Sequence, residues 1–171
     1  MLLYGDFPYD HNEREAFAQG SLQEIWATTY PDLFDEDDLR IGLTQPRNHF
    51  FEWLAAIRLY LDVGYVSLIE KYQFRRHERK HLIFRNTAPP AVYDLVARRG
   101  YFGSRQGPDL FAYRPDGEDW LFCEVKGDPD RVRDSQTVFW GQIERVSGRP
   151  IMLIHFHDAK RGSAAVANGG G

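Results

Sequence analysis

Asp109, Glu124 and Lys126 have the residue types and spacing for phosphate chemistry. Read as a strand, Trp120–Lys126 sends Glu124 and Lys126 to one side and Leu121, Cys123 and Val125 to the other. Asp109 opens the preceding strand-like run, so a hairpin would bring it beside that pair. An Asp, a Glu and a Lys would then share the edge of an apolar sheet, where charges are costly without partners. Two carboxylates suit a hard divalent cation such as Mg²⁺ or Mn²⁺, and the Val125 carbonyl offers a third oxygen. Such an ion polarises a phosphodiester and acidifies a bound water. Lys126 would orient or help deprotonate that water, or stabilise the developing charge.

The elements around these residues are those of a mixed α/β chain. Arg47–Leu61 carries Phe50, Leu54, Ile57 and Leu61 at helical spacing, and Glu52 shares a face with the small residues Ala55 and Ala56. Tyr65–Phe74 is ambiguous, and Lys80–Phe84 reads as a short strand. Pro89 and Pro90 open a helix with Val92, Leu95 and Val96 inward, ended by Gly100. Leu110–Tyr113 and Trp120–Lys126 form a hairpin across the Pro/Asp/Gly turn at Pro115–Asp119. Asp128 and Pro129 predict the start of a helix reaching about Val146, with a stripe of Val132, Gln136, Phe139 or Trp140, Ile143 and Val146. Gln136 interrupts that apolar stripe, so its amide needs partners, which the charged strand would provide. Ile151–His157 closes the sheet. The fold class is α/β (α+β), a mixed central sheet flanked by helices. Residues 1–46 form an acidic N-terminal extension packed on the core, 47–158 the main domain and 159–171 a disordered tail.

The run Gly107-Pro108-Asp109 … Glu124-Val125-Lys126-Gly127 … Asp130-Arg131 … Gln136 … Trp140 resembles the VRR-NUC branch of the PD-(D/E)XK nuclease superfamily. The close likeness covers about residues 100–156, with a looser one over 47–72. The resemblance implies a restriction-endonuclease-like fold and Mg²⁺- or Mn²⁺-dependent DNA cleavage. It implies metal ligation by Asp109 and Glu124, catalysis by Lys126, and a motif role for Gln136. Glu52 is the natural candidate for the acid on the N-terminal helix, as a catalytic residue or further ligand, with Glu70 and Asp94 as alternatives. Related enzymes act on flaps and four-way junctions, so branched DNA is the implied partner, with roles in DNA repair.

Arg75, Arg76, Arg79 and Lys80 form the densest basic cluster and, with Arg105 and Arg131, are candidates to hold the DNA backbone; Arg98 and Arg99 also precede the catalytic strand. His77-Glu78-Arg79-Lys80-His81 spells the zinc-protease signature H-E-x-x-H. The cations inside it and the strand-like run after it argue for a basic loop instead. His155 and His157 alternate on one strand face with no cysteine or third histidine nearby, which favours surface histidines. A nuclease-fold DNA-binding module without turnover is the remaining alternative.

Bulk properties set outer bounds. The 171 residues are 43% hydrophobic and 15% aromatic, enough for a packed domain. The single cysteine excludes an internal disulfide. The opening MLLYGDFPYD lacks a signal peptide's basic start and apolar run, and no stretch is long enough for a membrane span, so a cytoplasmic protein is expected. The net charge of −4 is uneven: residues 1–40 hold ten acids and two bases, leaving 15 acids and 19 bases beyond. A homodimer is expected, because one small domain offers few DNA-contacting elements.

Overall fold

The computed structural model describes residues 2–99 and 107–160. In chain order these form β1 (Leu2–Tyr9), α1 (His11–Ala18), α2 (Ser21–Thr29), α3 (Glu36–Thr44), α4 (Phe50–Val63) and β2 (Val66–Ile69). There follow α5 (Glu78–Thr87), α6 (Pro90–Arg99), β3 (Leu110–Tyr113), β4 (Trp120–Gly127), α7 (Asp134–Ser147) and β5 (Met152–Asp158).

The strands make one mixed sheet in the order β1-β5-β4-β3-β2. β1, β5 and β4 run parallel, whereas β4, β3 and β2 are antiparallel neighbours. Helices cover both faces. On one, Leu110, Ala112, Cys123, Val125, Ile154 and Phe156 pack against Phe17 of α1, Trp26 of α2 and the buried side of α4. On the other, Phe111, Trp120 and Phe122 meet Phe84 of α5, Val92 and Val96 of α6, and Phe139, Trp140 and Ile143 of α7. Each large apolar side chain buried in these layers contributes about 1.5–3 kcal/mol.

The expected hairpin, the second helix and the closing strand are all present. Within residues 1–46, β1 pairs with β5, and Tyr9, Phe17, Trp26, Leu33 and Phe34 are part of the core. Other expectations are corrected. Lys80–Phe84 is not a strand but the middle of α5, because apolar runs this short fit either element and tertiary packing decides. The last helix starts at Asp134 rather than Asp128; the Asp128–Pro129 bond is cis and residues 130–133 stay non-helical. Two expected core positions face solvent, Leu61 at 62% and Val146 at 46% exposure, while Phe50, Trp53, Ala55, Ala56, Ile57 and Leu59 bury the α4 face. Gly100 and Arg161–Gly171 lie outside the described residues.

α4 approaches the sheet closely at one point. A Cβ on Gly127 would lie 2.1 Å from the Phe51 ring, so glycine there admits that ring to the end of β4. Phe51 in turn stacks on Phe156 of β5, with ring centroids 5.7 Å apart. This contact sets where the first turn of α4, bearing Glu52, meets the sheet.

Candidate active site

The residue entering β3, strand β4 and the start of α7 bring Asp109, Glu124, Lys126 and Gln136 together. β4 alternates as expected: Trp120 and Phe122 lie in the α6–α7 layer, Cys123 and Val125 in the α4 layer. Glu124 and Lys126 continue the first face, and Lys126 Nζ donates to Glu124 Oε1 at 2.6 Å. Nζ also lies 3.9 Å from Asp130 Oδ2. Gln136, in the first turn of α7, donates through Nε2 to the same Glu124 oxygen at 2.5 Å. Its amide oxygen accepts from Arg133 N–H at 3.0 Å, so both ends of the glutamine are engaged and the helix start is tied to β4.

The Pro108-Asp109 step has a readable purpose. Leu110 pairs with Cys123, and extending that antiparallel register places Val125 opposite Pro108. Proline has no N–H to give the Val125 carbonyl. The Pro108 carbonyl accepts instead from Tyr72 OH at 2.7 Å, and Val125 N–H donates to Asp109 Oδ2 at 2.8 Å. The ladder is thus replaced by a carboxylate, with the Val125 carbonyl directed past the end of β3. Gly107 belongs to the same device, since a Cβ there would sit 2.9 Å from Tyr72 OH.

Beside this group stands a second one. Ligand atoms of His49, Glu52 and Glu70 all lie within 4.8 Å of one another. His49 caps α4 from the left-handed region (φ 70), and its Nδ1 is 3.4 Å from Glu70 Oε1. Glu70 (φ 39) and Lys71 (φ 57) end β2 in the same region, a conformation that costs non-glycine residues energy and concentrates at functional sites. A cleft of about 340 Å³ runs between Glu70, Lys71, Gln73 and Phe74 on one wall and Gly107, Pro108 and Asp109 on the other.

Electrostatics follow from burial and crowding. Burial, with Glu124 and Glu52 close by, pushes the Asp109 carboxyl well above the ordinary carboxylate range. Burial also raises Glu124, though Lys126 and Gln136 oppose it. Glu52 is pushed up to about 6 by burial and by the charge of Glu70. Burial draws the Lys126 ammonium down, but Glu124 and Asp109 outweigh it and hold the group above its usual value. Glu70 is lowered because bonding to His49 outweighs its burial; His49 is raised by the same contact. Several buried acids share one lysine, an arrangement that stays unfavourable until a cation or protons balance it.

The basic candidates separate. Arg75, Arg76 and Arg131 are exposed, as a backbone-contacting role requires, and Arg105 lies outside the described residues. Arg79 Nη1 pairs with Asp35 at 3.0 Å. Lys80 is only 2% exposed and bonds Asp38 together with the Ile69 carbonyl at 2.7 Å, so it cannot reach a nucleic acid backbone. The correction has a simple cause: this stretch is helical, and its inward turn meets the acidic start of α3. The H-E-x-x-H residues are also accounted for separately. His77 Nδ1 bonds Asp37 Oδ2 at 2.5 Å and His81 Nε2 meets Tyr93 OH at 3.0 Å, so each histidine has its own partner. Asp94, the other acid considered, is an exposed residue of α6.

Sequence reasoning missed His49 and Tyr72. A helix-capping histidine has no spacing signal, and the Tyr72 hydroxyl acquires its role only through the position of Pro108. Among the described residues no helix is long and apolar enough to cross a membrane. Comparisons with family models, curated proteins and solved structures found no match to the chain.

Proposed function

We propose that this chain is a divalent-metal-dependent nuclease that hydrolyses DNA phosphodiesters, structure-specific for flapped or four-way DNA, as its resemblance to the VRR-NUC branch of the PD-(D/E)XK superfamily implies. The observation that carries the reading is the convergence of Asp109, Glu124, Lys126 and Gln136 on one sheet edge, where a proline breaks the ladder.

The donor set fits a hard cation. Asp109 and Glu124 supply carboxylate oxygens and the Val125 carbonyl has no β3 amide opposite it, which matches the all-oxygen preference of Mg²⁺ or Mn²⁺. The surplus of buried acid around a single lysine is the charge that such an ion neutralises. Asp109, Glu124 and the Val125 carbonyl would hold it, with Glu52 near enough in charge to raise Asp109. Bound there, the ion would polarise the phosphoryl oxygen and lower the pKa of a coordinated water.

The chain's own residues divide the remaining work. Lys126, kept protonated by its neighbours, acts as a positive donor to the phosphate rather than as the base. Gln136 holds Glu124 in its rotamer and ties it to the start of α7. Arg75, Arg76 and Arg131 provide sequence-independent contacts to phosphate.

Flap, splayed and four-way DNA incubated with Mg²⁺ or Mn²⁺ test the reading. Wild type is expected to cut, Asp109→Ala to be inactive and Lys126→Ala to be strongly impaired. No cutting above those variants ends the enzymatic claim, and salt-sensitive binding without turnover would leave a DNA-binding module.

A further inference from the structure

The structure assigns a second metal site to Asp6, His155 and His157, which we propose binds a zinc-class transition-metal ion across strands β1 and β5.

His155 and His157 sit two apart on β5, so their side chains leave the same face of the sheet. The parallel register sets Asp6 of β1 directly beside His155 and Pro8 beside His157. The third donor, Asp6, therefore comes from a strand 149 residues before His155. The three side chains have converged: Asp6 Oδ1 lies 2.9 Å from His155 Nδ1 and 2.7 Å from His157 Nδ1. Ligand atoms of all three are within 4.8 Å of one another. Donors around a tetrahedral ion with bonds of about 2.0–2.1 Å stand roughly 3.3 Å apart, so a small outward movement of the Asp6 carboxylate would admit one.

The chemistry of the donors selects the ion. Two imidazoles and one carboxylate suit Zn²⁺, Co²⁺, Ni²⁺ or Fe²⁺, whereas Asp109, Glu124 and a carbonyl suit Mg²⁺ or Mn²⁺. The two sites therefore sort metals rather than compete for one. Three protein ligands leave a coordination position open, as at catalytic rather than structural zinc sites. Asp128 is a further acid close by, its Oδ1 3.6 Å from His155 Nε2. His155 is also the register partner of Lys126, so the open position lies on the same sheet face as the lysine. Among the described residues β1 is an edge strand paired with β5, and an ion held by both would clip it in place.

The test is zinc titration of the full chain by calorimetry, in Asp109→Asn/Glu124→Gln protein with excess Mg²⁺, backed by the visible absorption of Co²⁺. One saturable zinc per chain is expected, together with a zinc-dependent rise in melting temperature. His157→Gln and Asp6→Asn are each expected to weaken zinc roughly tenfold or more and to abolish the melting shift, while His49→Gln leaves both intact. All three donors are partly exposed, and the zinc-free melting temperature checks that each variant folds. Absence of saturable zinc in the parent protein overturns the proposal. So does unchanged affinity in His157→Gln and Asp6→Asn, or loss of the zinc in His49→Gln. The outcome is independent of DNA cleavage, because the nuclease ligands are already replaced.

Discussion

Lys80 and Lys126 are both buried ammonium groups bonded to a buried carboxylate, yet their surroundings differ. Lys80 meets Asp38 and the Ile69 carbonyl, while the second Asp38 oxygen accepts from Asp35 N–H at 3.3 Å. Donors and acceptors there are matched, as in a structural brace between α3 and α5. Lys126 faces Glu124, with Asp109, Glu52 and Asp130 also within its field. One cation answers for several acids. Even the matched pair leaves Asp38 raised to about 6, because burial outweighs the adjoining lysine. A surplus of acid is costlier still, and retaining one is understandable only where something else brings positive charge. Burial of an ion pair is thus uninformative by itself; the imbalance around it separates brace from site.

Four measurements can break or sharpen that contrast. The largest effect belongs to the brace. Lys80→Ala strands Asp38 in the interior and should destabilise the fold by about 3–5 kcal/mol in urea unfolding. A loss below 1 kcal/mol would mean that the pair is not closed off from water. Next comes Lys126→Ala, expected to cut metal-dependent cleavage by about 10²–10³-fold, about 2.7–4 kcal/mol of transition-state stabilisation. Cleavage that is undiminished, or diminished only in step with unfolding, would make Lys126 a second brace. Gly127→Ala should cost about 1–3 kcal/mol, since its methyl enters the Phe51 ring, and Phe51→Leu should restore part of that. Failure of the rescue would place the strain elsewhere.

The smallest effect has the opposite sign. The folded Asp109 carboxyl stays protonated at pH values where the unfolded one ionises, so the unfolded state binds fewer protons. Metal-free stability from this group must then fall as pH rises above the ordinary carboxyl range, near pH 4. Asp109→Asn removes that dependence while its amide oxygen can still accept from Val125 N–H. The variant should melt slightly higher than wild type at neutral pH without metal, and the gap should close toward pH 4. A variant less stable at pH 7 would contradict the picture of surplus charge.

Much of this arrangement was legible in the sequence, but unevenly. β3 and β4 were readable because strand-like runs flank a Pro/Asp/Gly turn, and period-two alternation then placed Glu124 with Lys126. Gln136 was readable as a polar break in an apolar stripe. β1 was not, because Gly5 and Pro8 interrupt a run whose partner among the described strands, β5, lies about 150 residues away. α5 was missed for a related reason: His-Leu-Ile-Phe is too short to declare its period, and the helix is set by tertiary packing that buries Lys80, His81 and Phe84. The charge asymmetry misled in the same way. The acidic start and the basic cluster looked like separate surfaces, whereas Asp35 and Asp38 pair with Arg79 and Lys80, and Asp37 bonds His77. Sequence distance hides such pairings, since opposite charges attract wherever the fold brings them.

The position of β5 between β1 and β4 has a consequence for synthesis. The strand made last among those described is the one that joins the first to the hairpin bearing Glu124 and Lys126. While a ribosome is still extending the chain, β1 has no mate, and the sheet can close only after residue 158 has emerged. Such long-range closure is slow and leaves an unpaired edge open to aggregation in the meantime. It also delays assembly of the sheet until the last of the described strands has been translated.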